Sequence, residues 1–264
     1  MSEGRISEEP EVVSRTDGAV ATVTINRPHK RNALTVAMYA ALADAVNAAN
    51  ADPAVRVIVL SGSGGSFSAG NDLGDFIAAS GSASGREEDQ PVRRFQESVL
   101  ASTAVLIAAV DGPAVGIGAT VLLHCDLVYA TERSYLQLPF VNLGLVPEFG
   151  SSAALTQRVG RARAAEILLF GDRFSAADAR EIGLVNAVLP DADALGAHVA
   201  ERVGALLAKP AASLREIRAL VRRREPSDAH ERMVLESSIF AALLDDPDTK
   251  ARITAVLERR SSRG

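Results

Sequence analysis

The stretch DGPAVGIGATVLLHCDLVYA, Asp111–Ala130, decides the fold class. It follows Val105–Val110, a run of β-branched and small apolar residues that reads as a buried strand. A turn comes next, then Gly116 and Gly118 flanking Ile117 where a helix starts, then a second strand at Asp126–Ala130. Strands alternating with helices predict an α/β fold with parallel pairing. The pattern continues on either side. Glu11–Arg15 and Ala19–Ile25 read as strands around a Thr16-Asp17-Gly18 hairpin signal. Thr35 can cap a helix running to about Asn50, with Met38, Leu42 and Val46 on one face. Val55–Gly62 reads as another buried strand. Phe67–Phe76, FSAGNDLGDF, places a second glycine turn directly after it. Ala78–Gln90 lacks an apolar period and reads as a loop, followed by a helix near Val92–Ala101. From Ser151 onward the pattern is mostly helical, interrupted by a short strand at Leu184–Val188. Helices near Asp228–Leu244 and Pro247–Arg259 have no strand to cover and are expected to pack across a subunit boundary.

A chain of 264 residues, 47% of them hydrophobic, can bury a sizeable core. The net charge of −5 supplies no electrostatic footprint for nucleic acid or an anionic membrane. Tryptophan is absent, which argues against base-stacking platforms. Cys125 is the single cysteine, so no internal disulfide forms. The polar MSEGRISEEP start is not a secretory signal. The apolar run Ala104–Val110 is too short to span a bilayer. A cytoplasmic protein without membrane or nucleic-acid partners is the expectation.

Two glycine turns carry the chemistry. At Gly116-Ile117-Gly118 a loop becomes a helix, whose first N–H groups lack internal partners and carry partial positive charge. A dinucleotide fingerprint fails here, because Val121 occupies the third glycine position of G-x-G-x-x-G. Ser68-Ala69-Gly70-Asn71 has the same character. Taken singly, each turn is better read as permitting tight helix–strand packing. Converging, they would form a two-donor oxyanion hole, each donor typically worth about 10²–10³ in rate.

The motifs NRPHKRNAL (Asn26–Leu34), FSAGNDL, AAVDGPAVGIG and PFVNLGLVPEFGSS (Pro139–Ser152) occur in that order. Together with RAAEILLFGDRFSAADAREIGLVNAVLP, they resemble the crotonase superfamily of enoyl-CoA hydratases and isomerases over most of the chain. The resemblance implies a spiral α/β core of ββα units over residues 1–200 and a C-terminal helical trimerisation region over 201–264. It implies a homotrimer or a dimer of trimers. It implies an acyl-CoA substrate whose thioester oxygen is held by the backbone N–H groups of Asn71 and Ile117. Coenzyme A arrives as part of that substrate, and no metal or redox cofactor is implied. The turn residues Ala69, Gly70, Asp72 and Leu73 are expected along the coenzyme A path, with Asp72 bracing the turn through backbone hydrogen bonds. Phe67 and Phe76 are expected to flank the path. Gly116, Thr120, Phe140 and Leu145, with Phe76, are expected to shape the substrate pocket.

Family hydratases carry two glutamates, whose matching positions here are Thr120 and Phe140. Neither residue can do acid–base work near neutral pH. Glu148 is the available carboxylate, and the pattern PFxNLGLxxE resembles the Δ3,Δ2-enoyl-CoA isomerases, where a glutamate at this site is the base. An apolar wall of Ile117, Phe140, Leu145 and Val146 would raise its pKa and exclude water. From spacing alone, Glu148 could equally be a solvated carboxylate beside a helix N-terminus. An enoyl-CoA hydratase or related lyase, and a catalytically weak acyl-CoA-binding relative, are the alternatives.

Other candidates read more plainly. His124 and Cys125 are sequence neighbours and are expected to point apart, as a satisfied histidine and a buried thiol. His29, His198 and His230 lack ligand spacing. The basic run Arg27, His29, Lys30, Arg31 suits coenzyme A phosphates or a solvated loop equally. Arg222–Arg224 is expected to complement a helix C-terminus, and Arg161 and Arg163 to lie on the surface. No G-x-S-x-G elbow is present.

Overall fold

A computed structural model of the chain describes residues 9–75, 89–222, 225–245 and 247–261. The N-terminal strands β1 (Val12–Asp17) and β2 (Val20–Ile25) form an antiparallel hairpin. Helix α1 (Val36–Ala51) follows, and the Thr35 side chain caps it by accepting from the Met38 amide. Then come β3 (Val57–Gly62), α2 (Asp89–Leu100), β4 (Val105–Val110) and β5 (Ala114–Val115). The single-turn helix α3 (Ile117–Thr120) leads through a 3₁₀ turn, Val121–His124, into β6 (Leu127–Thr131) and β7 (Tyr135–Gln137). Helix α4 (Ser151–Phe170), β8 (Arg173–Ser175), α5 (Ala176–Glu181), β9 (Ala187–Leu189) and α6 (Ala192–Leu207) complete the mixed part. Helices α7 (Ala211–Arg222), α8 (Glu225–Asp245) and α9 (Pro247–Ser261) end the chain.

The main sheet runs β1-β2-β3-β4-β6-β9, parallel from β2 onward. A smaller sheet, β5-β7-β8, stands beside it. Side chains alternate across a strand, and both faces of the central strands of the main sheet are covered. Ile58, Leu60, Leu106 and Ala108 join the large core with α1. Val57, Val59, Val105 and Ile107 face the other way, against Leu195, Val199 and Val203 of α6. Burying such a side chain fully is worth about 1.5–3 kcal/mol, so the valine- and isoleucine-rich strands need helices on both sides.

This arrangement bears out the α/β reading and moves several boundaries. The expected division at 200/201 falls inside α6, whose apolar face packs on the sheet. Helix α2 starts at Asp89, three residues before the expected Val92. The expected Leu184–Val188 strand is Ala187–Leu189, because Leu184 and Val185 turn into the core after Gly183. Phe76 and most of the expected Ala78–Gln90 loop lie outside the described residues.

Candidate active site

The two glycine turns meet. Gly70 has φ +88° and Gly116 φ +55°, conformations that other residues adopt only with strain. A Cβ added to Gly70 would come within 3.0 Å of the Val115 carbonyl oxygen and 3.9 Å of Gly116 Cα. The turns are therefore packed backbone to backbone, and only glycines allow it. Leu34 pairs with the first turn: its amide donates to Gly70 O and its carbonyl accepts from Asp72 N, both at 2.8 Å. That parallel bridge uses the groups on either side of Asn71 and leaves the Asn71 amide pointing away from Leu34. Ile117 is the first residue of α3, where an amide has no intrahelical acceptor. Its neighbour Gly116 donates to Gln137 O at 2.9 Å. Two donors are thus left over on turns that touch.

Asp72 braces the first turn as expected. Its Oδ1 accepts from the Gly74 amide at 3.0 Å and its Oδ2 from Arg27 Nη1 at 2.7 Å. Burial opposes ionisation, yet the Arg27 and Gly74 bonds hold its carboxyl below the usual range. Arg27 consequently differs from the expected phosphate ligand. Its Nη1 also donates to Ala33 O, and its Nε pairs with Glu11 at 2.8 Å. Held between Asp72 and Glu11, this guanidinium locks the turn instead. Lys30 and Arg31 remain exposed.

Glu148 lies in the loop between the 3₁₀ turn Val141–Leu143 and α4, and it is not the solvated carboxylate that spacing alone allowed. Thr120 Oγ1 donates to its Oε1 and Gln96 Nε2 to its Oε2, both at 2.7 Å. Burial pushes its pKa up to about 7, the two donors oppose that rise, and the nearby Glu236 adds to it. A carboxyl so placed exchanges a proton near neutral pH. Thr120, fully buried, therefore holds the carboxylate rather than replacing it.

A cavity of about 270 Å³ unites these parts. Its lining includes Ala69, Gly70, Asn71 and Leu73 from the first turn, Gly116 and Ile117 from the second, and Glu148. Phe140, Leu145, Leu143 and Pro139 make an apolar wall. Of the expected wall, Val146 does not line the cavity. Phe67 also departs from expectation: it is fully buried in the main core, away from the cavity lining. Cys125 and His124 are buried apart from the cavity lining. Burial pushes the thiol up to about 12 and the imidazole down to about 3, so neither is charged near neutral pH. Arg222 does more than cap α7. It is buried, and its Nη1 donates to His124 O and pairs with Asp126, which Arg218 also binds. Arg223 and Arg224 lie outside the described residues. Arg163 pairs with Glu166 on the surface, as expected.

Four residues at or beside the site escaped the sequence reading. Gln96 is a polar residue at 3% exposure on the apolar face of α2, beside Phe95 and Val99. That position, i+4 from Val92 and i−3 from Val99, was the available signal. Tyr39 donates from its phenol to the Asn71 side chain. Burial, and then the Glu148 charge, push that phenol well above its ordinary pKa, so it stays a donor. Glu236 and Phe240 come from α8, more than 80 residues along the chain, and no local pattern marks them.

A sequence profile described as enoyl-CoA hydratase/isomerase matches residues 15–263. The chain is 36% identical over 234 residues to enoyl-CoA delta isomerase 2 of Rattus norvegicus, covering 87% of this chain but 59% of the rat protein. It is 31% identical over 252 residues to crotonyl-CoA hydratase of Syntrophomonas wolfei, covering 95% of this chain and 96% of that protein. The fold superposes on the solved structure of Pseudomonas aeruginosa OdaA with a TM-score of 0.88 and 37% identity, covering 94% of this chain and 99% of that one.

Proposed function

Because the chain belongs to the enoyl-CoA hydratase/isomerase family, we propose that it shifts the double bond of a 3-enoyl-CoA to give the 2-trans-enoyl-CoA. One observation carries this reading: among the described residues a single carboxylate, Glu148, shares a cavity with the two turns whose amides are free to bind an oxygen. The C2 proton of a thioester is weakly acidic, and its removal leaves an enolate. The Asn71 and Ile117 amides receive the enolate oxygen. Glu148 takes the proton from C2 and returns it to C4. A base whose pKa lies near neutral pH can do both. The apolar wall keeps water from the enolate.

Thr120 and Phe140 stand where hydratases of this family carry glutamates, which supports isomerisation over hydration. Hydration or a related lyase reaction is the second reading, favoured by the similarity to the Syntrophomonas hydratase. A catalytically weak acyl-CoA binder fits less well, since Glu148 is held in the cavity rather than solvated. Lys30 and Arg31, exposed beside the first turn, are assigned to the coenzyme A phosphates. Assembly as a homotrimer or a dimer of trimers belongs to the same proposal, and the exposed Ile217, Leu220 and Val221 give α7 an apolar face suited to it. So does a cytoplasmic location, which suits a chain in which no helix among the described residues is long and apolar enough to cross a membrane.

The test compares wild type with Glu148→Gln on 3-trans-hexenoyl-CoA and on crotonyl-CoA. Isomerisation that vanishes in the variant, with little hydration by either protein, is expected. Strong hydration of crotonyl-CoA would overturn the isomerase reading.

A further inference from the structure

The loop that carries Glu148 is held by the C-terminal helices. At one end, Thr249 of α9 donates to Gly144 O at 3.4 Å. At the other, Glu236 of α8 accepts from Gly150 N at 2.8 Å and Ser152 N at 3.2 Å. Glu236 is only 4% exposed. Its bonds fall where the backbone is most constrained: Phe149 and Gly150 have φ +58° and +64°, reversing the chain between Glu148 and α4. Phe149 is held there by His124, whose ring Nε2 donates to Phe149 O at 2.7 Å. One turn beyond Glu236, Phe240 reaches the cavity that Glu148 lines. Met233 and Leu244, on the same helix, are buried in the main core, which fixes the rotation of α8 and aims Glu236 and Phe240 at the site.

A free helix N-terminus beside Glu148 would favour its ionised form. Here a second carboxylate already occupies those amides. We propose that Glu236 is a positioning residue for Glu148: through it, α8 seats the reversed turn that presents Glu148 and cancels the positive end of α4 beside it. This rests on the reading of Glu148 as the base. Helix α8 thereby sets both the acyl wall, through Phe240, and the readiness of the base to accept a proton. Among the described residues, the groups facing Glu148 are Thr120 from α3, Gln96 from α2, the protonated Tyr39 from α1 and Glu236 from α8. His124, on the adjoining Phe149, is neutral. Glu236 is thus the negatively charged neighbour in that set.

The experiment follows Glu148 directly, by carbon-13 NMR titration of protein labelled at the glutamate side-chain carboxyls, with Glu148→Gln identifying its resonance. Glu236→Gln, which keeps the shape and removes the charge, is expected to lower the titration midpoint of Glu148 by about half a unit or more, since one unit corresponds to about 1.4 kcal/mol of differential interaction. The acidic limb of kcat/KM for 3-trans-hexenoyl-CoA should move down with it. Glu236→Asp, with its charge drawn back by one methylene, should fall between Glu236→Gln and wild type. It serves alone should Glu236→Gln fail to fold. An unmoved or raised Glu148 midpoint in a folded variant would overturn the proposal, even with activity reduced, because a brace that is merely structural alters rate without altering the titration. Should wild type prove unable to isomerise while the midpoint still shifts, the isomerase reading falls and the coupling stands.

Discussion

Thr120→Val tests how the protein holds its base. The substitution keeps the volume and removes the hydroxyl that donates to Glu148 Oε1 at 2.7 Å. Thr120 is fully buried, so no water replaces the lost donor without a rearrangement of the core. That bond favours the ionised carboxylate and opposes the rise that burial imposes. Hydrogen bonds to charged groups contribute about 1.5–3 kcal/mol. The protonated acid keeps part of that, leaving a difference of about 1.4 kcal/mol, or about one pKa unit. Glu148 starts from a value of about 7, so the variant should titrate near 8. At pH 7 the ionised fraction falls from about one-half to about one-tenth, and kcat/KM with it by about fivefold. Near pH 9 most of the loss should return. The assay is a pH profile of kcat/KM on a 3-enoyl-CoA. A limb that stays in place would refute the reasoning, as would a loss equally large at pH 7 and pH 9.

Glu148 also bears on stability. Its folded-state value lies above the ordinary carboxylate value of 4.5, so ionising it opposes folding. The stability it permits is complete below about pH 4.5 and is lost as pH rises through 7. Glu148→Gln should therefore melt higher than wild type at pH 8, by on the order of 3 kcal/mol, and most of the gap should close by pH 5. Thermal melts at both pH values check it. Arg27→Met should loosen the first turn and lower kcat by about three- to tenfold, less than the 10²–10³ of losing a donor outright. Steady-state kinetics of that variant should show no compensating change in the pH limb. Lys30→Ala and Arg31→Ala should instead raise KM for the coenzyme A ester with kcat unchanged, the mark of uniform binding. An equal loss in kcat would place them in the turn's support.

What was legible in the sequence divides along physical lines. Val57–Gly62, Val105–Val110 and the glycine turn at Gly116 declare themselves locally, through β-branched runs and a backbone only glycine adopts. Glu148 was legible through the motif around it. Its environment was not, because Thr120, Gln96 and Glu236 reach it from three separate elements. Phe67 reads as flanking the coenzyme A path in FSAGNDL, yet its side chain enters the core. Arg27 reads as a free cation in a basic run, yet Asp72 lies 45 positions away and claims it. Pairings at such separation follow from the fold, and a linear pattern does not carry them.

The central claim is that one carboxylate removes the proton from C2 and delivers it to C4. A 3-enoyl-CoA carrying two deuterons at C2, turned over in ordinary water, tests it most directly. Mass and NMR analysis of the 2-enoyl-CoA product, stopped at low conversion, should find one deuteron kept at C2 and a substantial share of the other at C4. Product with no deuterium at C4, formed at the full rate, would contradict a single sequestered base.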